Sequence, residues 1–253
     1  MLDFLKNHPV PITAYFRFSA VMAFAVPKEL VAGLIPECLE LDTFQDTYGF
    51  LAAAFVQTER LRPKGLPQFL GRNFFLVGYR IFVRYTNSQG KRSRGLYIIR
   101  SETDSRSMAL GGNLFSHYSY RRIPISFVET DEILSVRSSA TGLKAVFGKR
   151  GDNIPLPAGS PFRSWKEARR FEGPMPYTFS YNPNKNEVCI VEGVRQNWRP
   201  LPISVNEYKI PILKELSLDK EARLANAFII NDIPYYWKKG RTEKWKSDDR
   251  FRA

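Results

Sequence analysis

The 253-residue chain contains only two imidazoles, His8 and His117. His117 lies in the stretch GGNLFSHYSY, residues 111–120, beside Tyr118, Ser119 and Tyr120 and shortly after Asn113. A neutral imidazole is the one side chain here whose ordinary pKa lies near neutrality, so His117 and Tyr120 are the candidate acid or base. The other role open to a lone histidine is structural, closing a helix end or satisfying a backbone carbonyl. Ser116 and His117 are sequence neighbours, which is no spacing for a nucleophile and its base. The sequence has no glycine-rich phosphate loop, no G-x-S-x-G elbow, no H-E-x-x-H and no paired C-x-x-C. No carboxylate or thiol stands at ligand spacing from either histidine, so neither a metal nor a cofactor is expected.

Arg17 is the second candidate. From Phe16 to Ala25 a bulky row (Phe16, Phe18, Ala20, Met22, Phe24) alternates with a small row (Arg17, Ser19, Val21, Ala23, Ala25). Small side chains facing a barrel interior leave volume unfilled, and the alternation puts Arg17 on that side. Its guanidinium has two roles open to it. It clamps a ligand carboxylate, a charge-assisted pair contributing about 1.5–3 kcal/mol, or it pairs with an internal glutamate or reaches water at the rim. Glu59, Glu192, Arg195 and Trp198 sit on strands, where an interior position and a structural ion pair are equally open.

The elements that position these residues are mostly strands. LELDTF, YGFLAAAFVQTE, RIPISFVE, EILSVRSSA, MPYTFSYN, EVCIVEGVRQNW, SVNEY and AFIINDIPYYW read as strands. NFFLVGYRIFVRY and SRGLYIIRSE form a hairpin across TNSQGK. KELVAGLI, SWKEARRFE and IPILKELSL read as short helices, and another runs from an Asp104 N-cap to about Phe115. RLRPKGLPQFLGRN and GKRGDNIPLPAG read as loops, and the polar tail, about 238–253, as frayed. With no repeat and no linker, residues 1–253 read as a single domain, mainly β (α+β), most easily closed as a barrel with covering strands.

Composition sets the outer bounds. Apolar residues at 43% allow a sizeable core, and two cysteines make no disulfide framework. MLDFLKNHPVP has no basic leader and long apolar run, and no stretch is long enough to span a bilayer, so a soluble, cytoplasmic protein without membrane insertion is expected. The net charge is +13, and residues 60 to 106 hold eleven Lys and Arg against Glu102 and Asp104. That segment fits either an anionic partner or solvated strand faces. Arg80 and Arg84, four apart, lie on one side of a strand, so the basic cluster is a hairpin and not a recognition helix.

PKELVAGLIPECLELD, residues 27 to 42, and ALGGNLFSHYSY, residues 109 to 120, resemble stretches of acetoacetate decarboxylase-like proteins. ITAYFRFS, GYRIFVRY, SETDSR, LGGNLFSHY and SWKEARRFEGP resemble an uncharacterised bacterial branch of that superfamily, a domain of unknown function. The resemblance implies a cone-shaped antiparallel β-barrel with covering strands and a few short helices. It also puts Arg17 on the substrate-facing arginine, Ser119 on the Schiff-base lysine and Tyr120 on the lysine after it. One family glutamate falls on Leu51. A Schiff-base amine needs a neighbouring cation to lower its pKa, and neither amine is present at these positions. Lys144 and Lys149 have no spacing that would replace them.

The expectation is a barrel that binds a small carboxylated or carbonyl metabolite through Arg17, Asn113, His117, Tyr118, Ser119 and Tyr120, without Schiff-base decarboxylation. One alternative is a non-Schiff-base lyase or hydrolase using His117 or Tyr120. Another is a nucleic-acid-binding module using the basic hairpin 79–106, with Tyr79, Phe82, Tyr85 and Tyr97 as stacking surfaces. Specific nucleic-acid binding is not expected, and assembly into a homo-oligomer is left open.

Overall fold

Apolar alternation of period two becomes long strands in the computed structural model, which describes residues 4–149, 151 and 154–245. In chain order the elements are β1 (Ile12–Pro27), α1 (Lys28–Ala32), β2 (Glu40–Leu41), β3 (Tyr48–Pro63), β4 (Arg72–Thr86), β5 (Arg92–Thr103), α2 (Arg106–Phe115), β6 (Tyr120–Arg122), β7 (Ser126–Glu129), β8 (Ile133–Ser138), β9 (Leu143–Gly148), α3 (Trp165–Phe171), β10 (Tyr177–Asn182), β11 (Glu187–Arg195), β12 (Leu201–Pro202), β13 (Ser204–Lys209), α4 (Pro211–Glu215), β14 (Arg223–Trp237) and β15 (Arg241–Lys244).

β14, β1, β3, β4, β5, β10 and β11 are successive neighbours, and β11 pairs back onto β14. The sheet therefore closes, which removes the open edges of its longest strands. Its pairings are antiparallel except those of β5 with β10 and with β6, which are parallel. A second sheet, ordered β13-β9-β8-β7, covers part of the outer face. Phe18, Met22 and Phe24 of β1 pack in one cluster with Leu134, Val136 and Phe147 of that cover.

The small row of β1 faces inward, as its composition predicts. Val21, Ala23 and Ala25 share an inner cluster with Ala52, Ala54 and Val56 of β3 and Ala225 of β14. Aromatic rings fill one end of this interior. Phe50 stacks on Phe82 and on Phe162, each at 5.6 Å between centroids, with Phe44 and Phe171 against them.

Three local expectations change, and one unassigned segment is a strand. The register against β3 shifts between Phe16 and Phe18, and the side chains change sides there. Phe16 packs inside on Tyr235, whereas Phe18 packs outside on Phe75 and Phe127. Arg17 sits at that irregularity and stays exposed, so it is not on the inner wall. Ser105, not Asp104, caps α2, accepting from the Met108 N–H at 3.2 Å, while Asp104 accepts from the Phe75 N–H at 2.9 Å. LKAVFG is a strand, β9, sandwiched between β8 and β13. Within the tail read as frayed, Arg241–Lys244 pairs with β11 and Trp245 meets Tyr181 edge-on at 6.0 Å, while 246–253 lie outside the described residues.

Candidate functional site

β4 carries the decisive residue. Leu76 and Phe82 belong to the inner cluster, so Arg80, at the same parity between them, also faces the interior. It stands in register with Ala52 of β3, which in turn pairs with Ala23 of β1. Two alanines beside it leave the inner wall low and give the long side chain room. The Arg80 Nε has no hydrogen-bond partner, and among the described residues no carboxylate forms an ion pair with it. Burial lowers its pKa from the ordinary guanidinium value, the Arg195 charge pushes the same way, and the phenols of Tyr235, Tyr120 and Tyr118 oppose it.

Arg195, near the end of β11, is the second inner guanidinium. It donates from Nη2 to the Met175 carbonyl at 2.7 Å and lies over the Trp198 ring at 4.0 Å. Burial lowers its pKa as well. Two cations held in one apolar interior without a carboxylate are costly, several kcal/mol each in effective desolvation, unless an anion meets them.

α2 and its exit deliver the phenols. Asn113 grips the chain at Tyr120, accepting from its backbone N–H at 2.8 Å and donating to its carbonyl at 2.9 Å. Gly112 is required because a Cβ there would lie 2.3 Å from the Tyr120 ring. Gly193 has the same role for Tyr235, whose hydroxyl would be 2.1 Å from an added Cβ. Burial pushes the Tyr120 phenol up to about 12, with Arg80 and Ser101 pulling it down. Burial likewise raises Tyr118 well above the ordinary phenol range. Both are hydrogen-bond donors at neutral pH, not bases.

The fold therefore brings Tyr118 and Tyr120 together around Arg80, their ring centroids 6.4 Å apart. It does not bring the others in. Arg17 is a correction: it is exposed and ion-paired with Glu129 of β7, the structural role open to it from the start. His117 Nε2 lies 3.2 Å from Asn7 Oδ1 and holds the N-terminal segment against α2. Ser119 is exposed, in a left-handed conformation with φ of 49°. Asn113 is exposed and acts through the backbone of Tyr120. Lys144 and Lys149 pair with Glu207 and Glu129, and no lysine among the described residues is buried.

The missed histidine is His8. Its ring lies 5.9 Å from that of Tyr118, and burial depresses its pKa to about 4. Nothing in the sequence marks it, since 110 positions separate it from Tyr118. Arg80 is also missed, since in the sequence it reads only as part of the basic hairpin; its parity with Leu76, Gly78 and Phe82 is a signal, but parity does not say which side is inside. Among the described residues no group of His, Cys, Asp and Glu is arranged to hold a metal.

The basic hairpin exposes little stacking surface, and Tyr97 is half-buried. Tyr79, Phe82 and Tyr85 are buried and cannot stack on bases. Asp42, fully buried, accepts from Arg84 Nε at 2.6 Å and from Arg94 Nε at 2.5 Å. Arg92 pairs with Glu40, and Arg100 with Glu215 at 2.6 Å. Four of the segment's eleven cations, Arg84, Arg92, Arg94 and Arg100, are thus matched within the protein.

Residues 13–221 match the model of a family described as an uncharacterized conserved protein (COG2071). No curated protein matches in sequence. Solved structures do match in fold. Acetoacetate decarboxylase from Legionella pneumophila subsp. pneumophila str. Philadelphia 1 has a TM-score of 0.61 at 13% identity, over 92% of this chain and 87% of that one. An acetoacetate decarboxylase-like enzyme from Sphingomonas wittichii RW1 has 0.57 at 12%, over 96% of each. The enduracididine biosynthesis enzyme MppR with HEPES buffer bound has 0.58 at 8%, over 93% and 88%. At such identities the likeness is one of fold, and the fold is acetoacetate decarboxylase-like.

Proposed function

We propose that this chain, which belongs to the DUF2071 family, binds a small carboxylate or keto acid inside its barrel, with Arg80 and Arg195 as the anchor in place of Arg17. The observation that carries the reading is the half-buried Arg80 guanidinium on the inner face of β4, which has an unpartnered Nε and no carboxylate to neutralise it. Tyr118 and Tyr120 donate to the remaining acceptor oxygens, and Trp198 and Phe16 supply apolar contact. MppR is described with HEPES buffer bound and, in another structure, with the condensation product of pyruvate and imidazole 4-carboxaldehyde, so a protein of this fold takes up small molecules.

The same geometry argues against imine chemistry. An imine needs an amine in the interior, and Ser119 and Tyr120 supply none. The lyase or hydrolase alternative loses His117 to its contact with Asn7 and retains only Tyr120, a donor. The test is calorimetric titration with pyruvate and with neutral methyl pyruvate, followed by borohydride treatment. Binding of pyruvate at least tenfold tighter than the ester, with no adduct by mass, is expected. Equal affinities would remove the anion reading, and a reduced adduct on a lysine would restore the Schiff base.

A further inference from the structure

A cavity of about 160 Å³ lies between α3, the segment after β11, and β14. Trp165, Trp198 and Phe228 wall it, Glu172 and Asn226 line it, and the exposed Arg169 stands at its margin. Asn226 is 1% exposed and paired in register with Ala23, in the middle of the barrel wall. Asn226 lies close enough to Glu172 to act on its carboxyl, but neither the oxygen nor the nitrogen of its carboxamide, nor Glu172 Oε1, makes a well-formed hydrogen bond. Each such buried, unpaired group costs about 1–3 kcal/mol, so several lining one cavity are a standing cost to the fold that a ligand would remove.

Burial pushes the Glu172 carboxyl up to about 8, with Asn226 acting the other way. At neutral pH it is protonated, a donor and acceptor without charge. The unsatisfied groups are thus neutral, and they offer donors and acceptors side by side.

We propose that this cavity binds a flat, uncharged ring carrying adjacent N–H and C=O groups, a lactam or related cyclic amide. The carboxamide of Asn226 is complementary to such an edge, accepting from N–H and donating to C=O. The Trp and Phe walls suit the faces of a planar ring. A cavity of about 150 Å³ holds a benzene-sized ring, so the volume admits one six-membered ring. An anion in its place would be desolvated against Glu172 and the indoles, and Arg169, the one cation among its lining residues, is exposed. The proposal does not rest on the carboxylate reading: a chain that ignores pyruvate can still take this ring, and the reverse.

The probe is 2-pyridone, measured by calorimetry at pH 7 against 2-methoxypyridine, which keeps the ring and lacks the N–H, and against benzoate. Binding of 2-pyridone at least tenfold tighter than either control is expected. Asn226→Leu should lose at least tenfold in affinity without a lower melting temperature, and Glu172→Gln, still neutral and polar, should keep binding. Equal affinity for 2-methoxypyridine, or full affinity in Asn226→Leu, overturns the proposal. If Asn226→Leu does not fold, a crystal of the unaltered chain grown with 2-pyridone decides. The ring must lie between Trp165 and Trp198, within hydrogen-bond distance of Asn226, and a ring elsewhere or water alone in the cavity rejects it.

Discussion

Arg80 and Arg84 stand four residues apart on the same strand, yet their surroundings are opposite. Arg84, with Arg94, closes on Asp42, a carboxylate with no exposure at all. Arg80, with Arg195, meets phenols, an indole and one backbone carbonyl, with no carboxylate among the described residues. The first pair of cations is complete within the protein. The second is incomplete, and a guanidinium left incomplete in an apolar interior is retained at a cost that only a partner from outside offsets. Net charge alone therefore does not identify a partner in this chain: Arg84, Arg92, Arg94 and Arg100 are matched locally, and the informative cation is one residue inside the barrel.

The largest test of that contrast is at Asp42. Asp42→Asn leaves Arg84 and Arg94 facing a neutral amide in a buried position, and a loss of about 3–5 kcal/mol in urea denaturation is expected. A loss under about 1 kcal/mol would mean that the matched side is no more complete than the unmatched one.

Next in size are the glycines that admit the phenols. Gly112→Ala and Gly193→Ala force contacts of 2.3 and 2.1 Å onto Tyr120 and Tyr235. Overpacking of this kind costs about 1–3 kcal/mol, and the displaced rings should weaken pyruvate binding as well. Gly112→Ala combined with Tyr120→Ala should recover stability but not binding; failure to recover stability would show that the glycine serves something other than the ring.

A smaller effect is the pH dependence of stability. His8 is depressed from 6.5 to about 4, so the unfolded chain takes a proton that the folded chain refuses, and stability falls as pH drops through that window. Glu172 is raised from 4.5 to about 8, so the folded chain keeps a proton that the unfolded chain has given up. Its contribution falls as pH rises from 4.5 to about 8 and is flat beyond. Arg169 lines the same cavity but is exposed, and screening keeps it from reversing the sign. Relative to the unaltered chain, Glu172→Gln should therefore gain stability steadily between pH 6.5 and 8, read from urea midpoints. A difference that does not change over that range would place Glu172 in contact with water.

Much of the barrel was legible in the sequence. The small row of β1 announced an inner wall, and turn residues bounded most strands. β9 was not legible, because its short run lies between a Ser/Thr-rich turn and a Gly/Pro stretch. β15 was hidden by its charged composition, since its stability comes from pairing with β11 and not from burial. The site was harder. Alternation predicts which residues share a side but not where an irregularity exchanges the sides, and that exchange moved Arg17 outward. Tyr118 and Tyr120 were visible because they sit in one short segment, whereas Arg80, Arg195 and His8 converge on them from distant strands and from the N-terminal segment.

The central claim is that the unmatched guanidinium awaits an anion. Arg80→Met, titrated with pyruvate and melted in parallel, tests it most directly. Affinity at least tenfold weaker, about 1.4 kcal/mol or more, with stability unchanged or improved, is the expected result. Unchanged affinity, or a large loss of stability, would contradict it and make Arg80 a structural cation like Arg84.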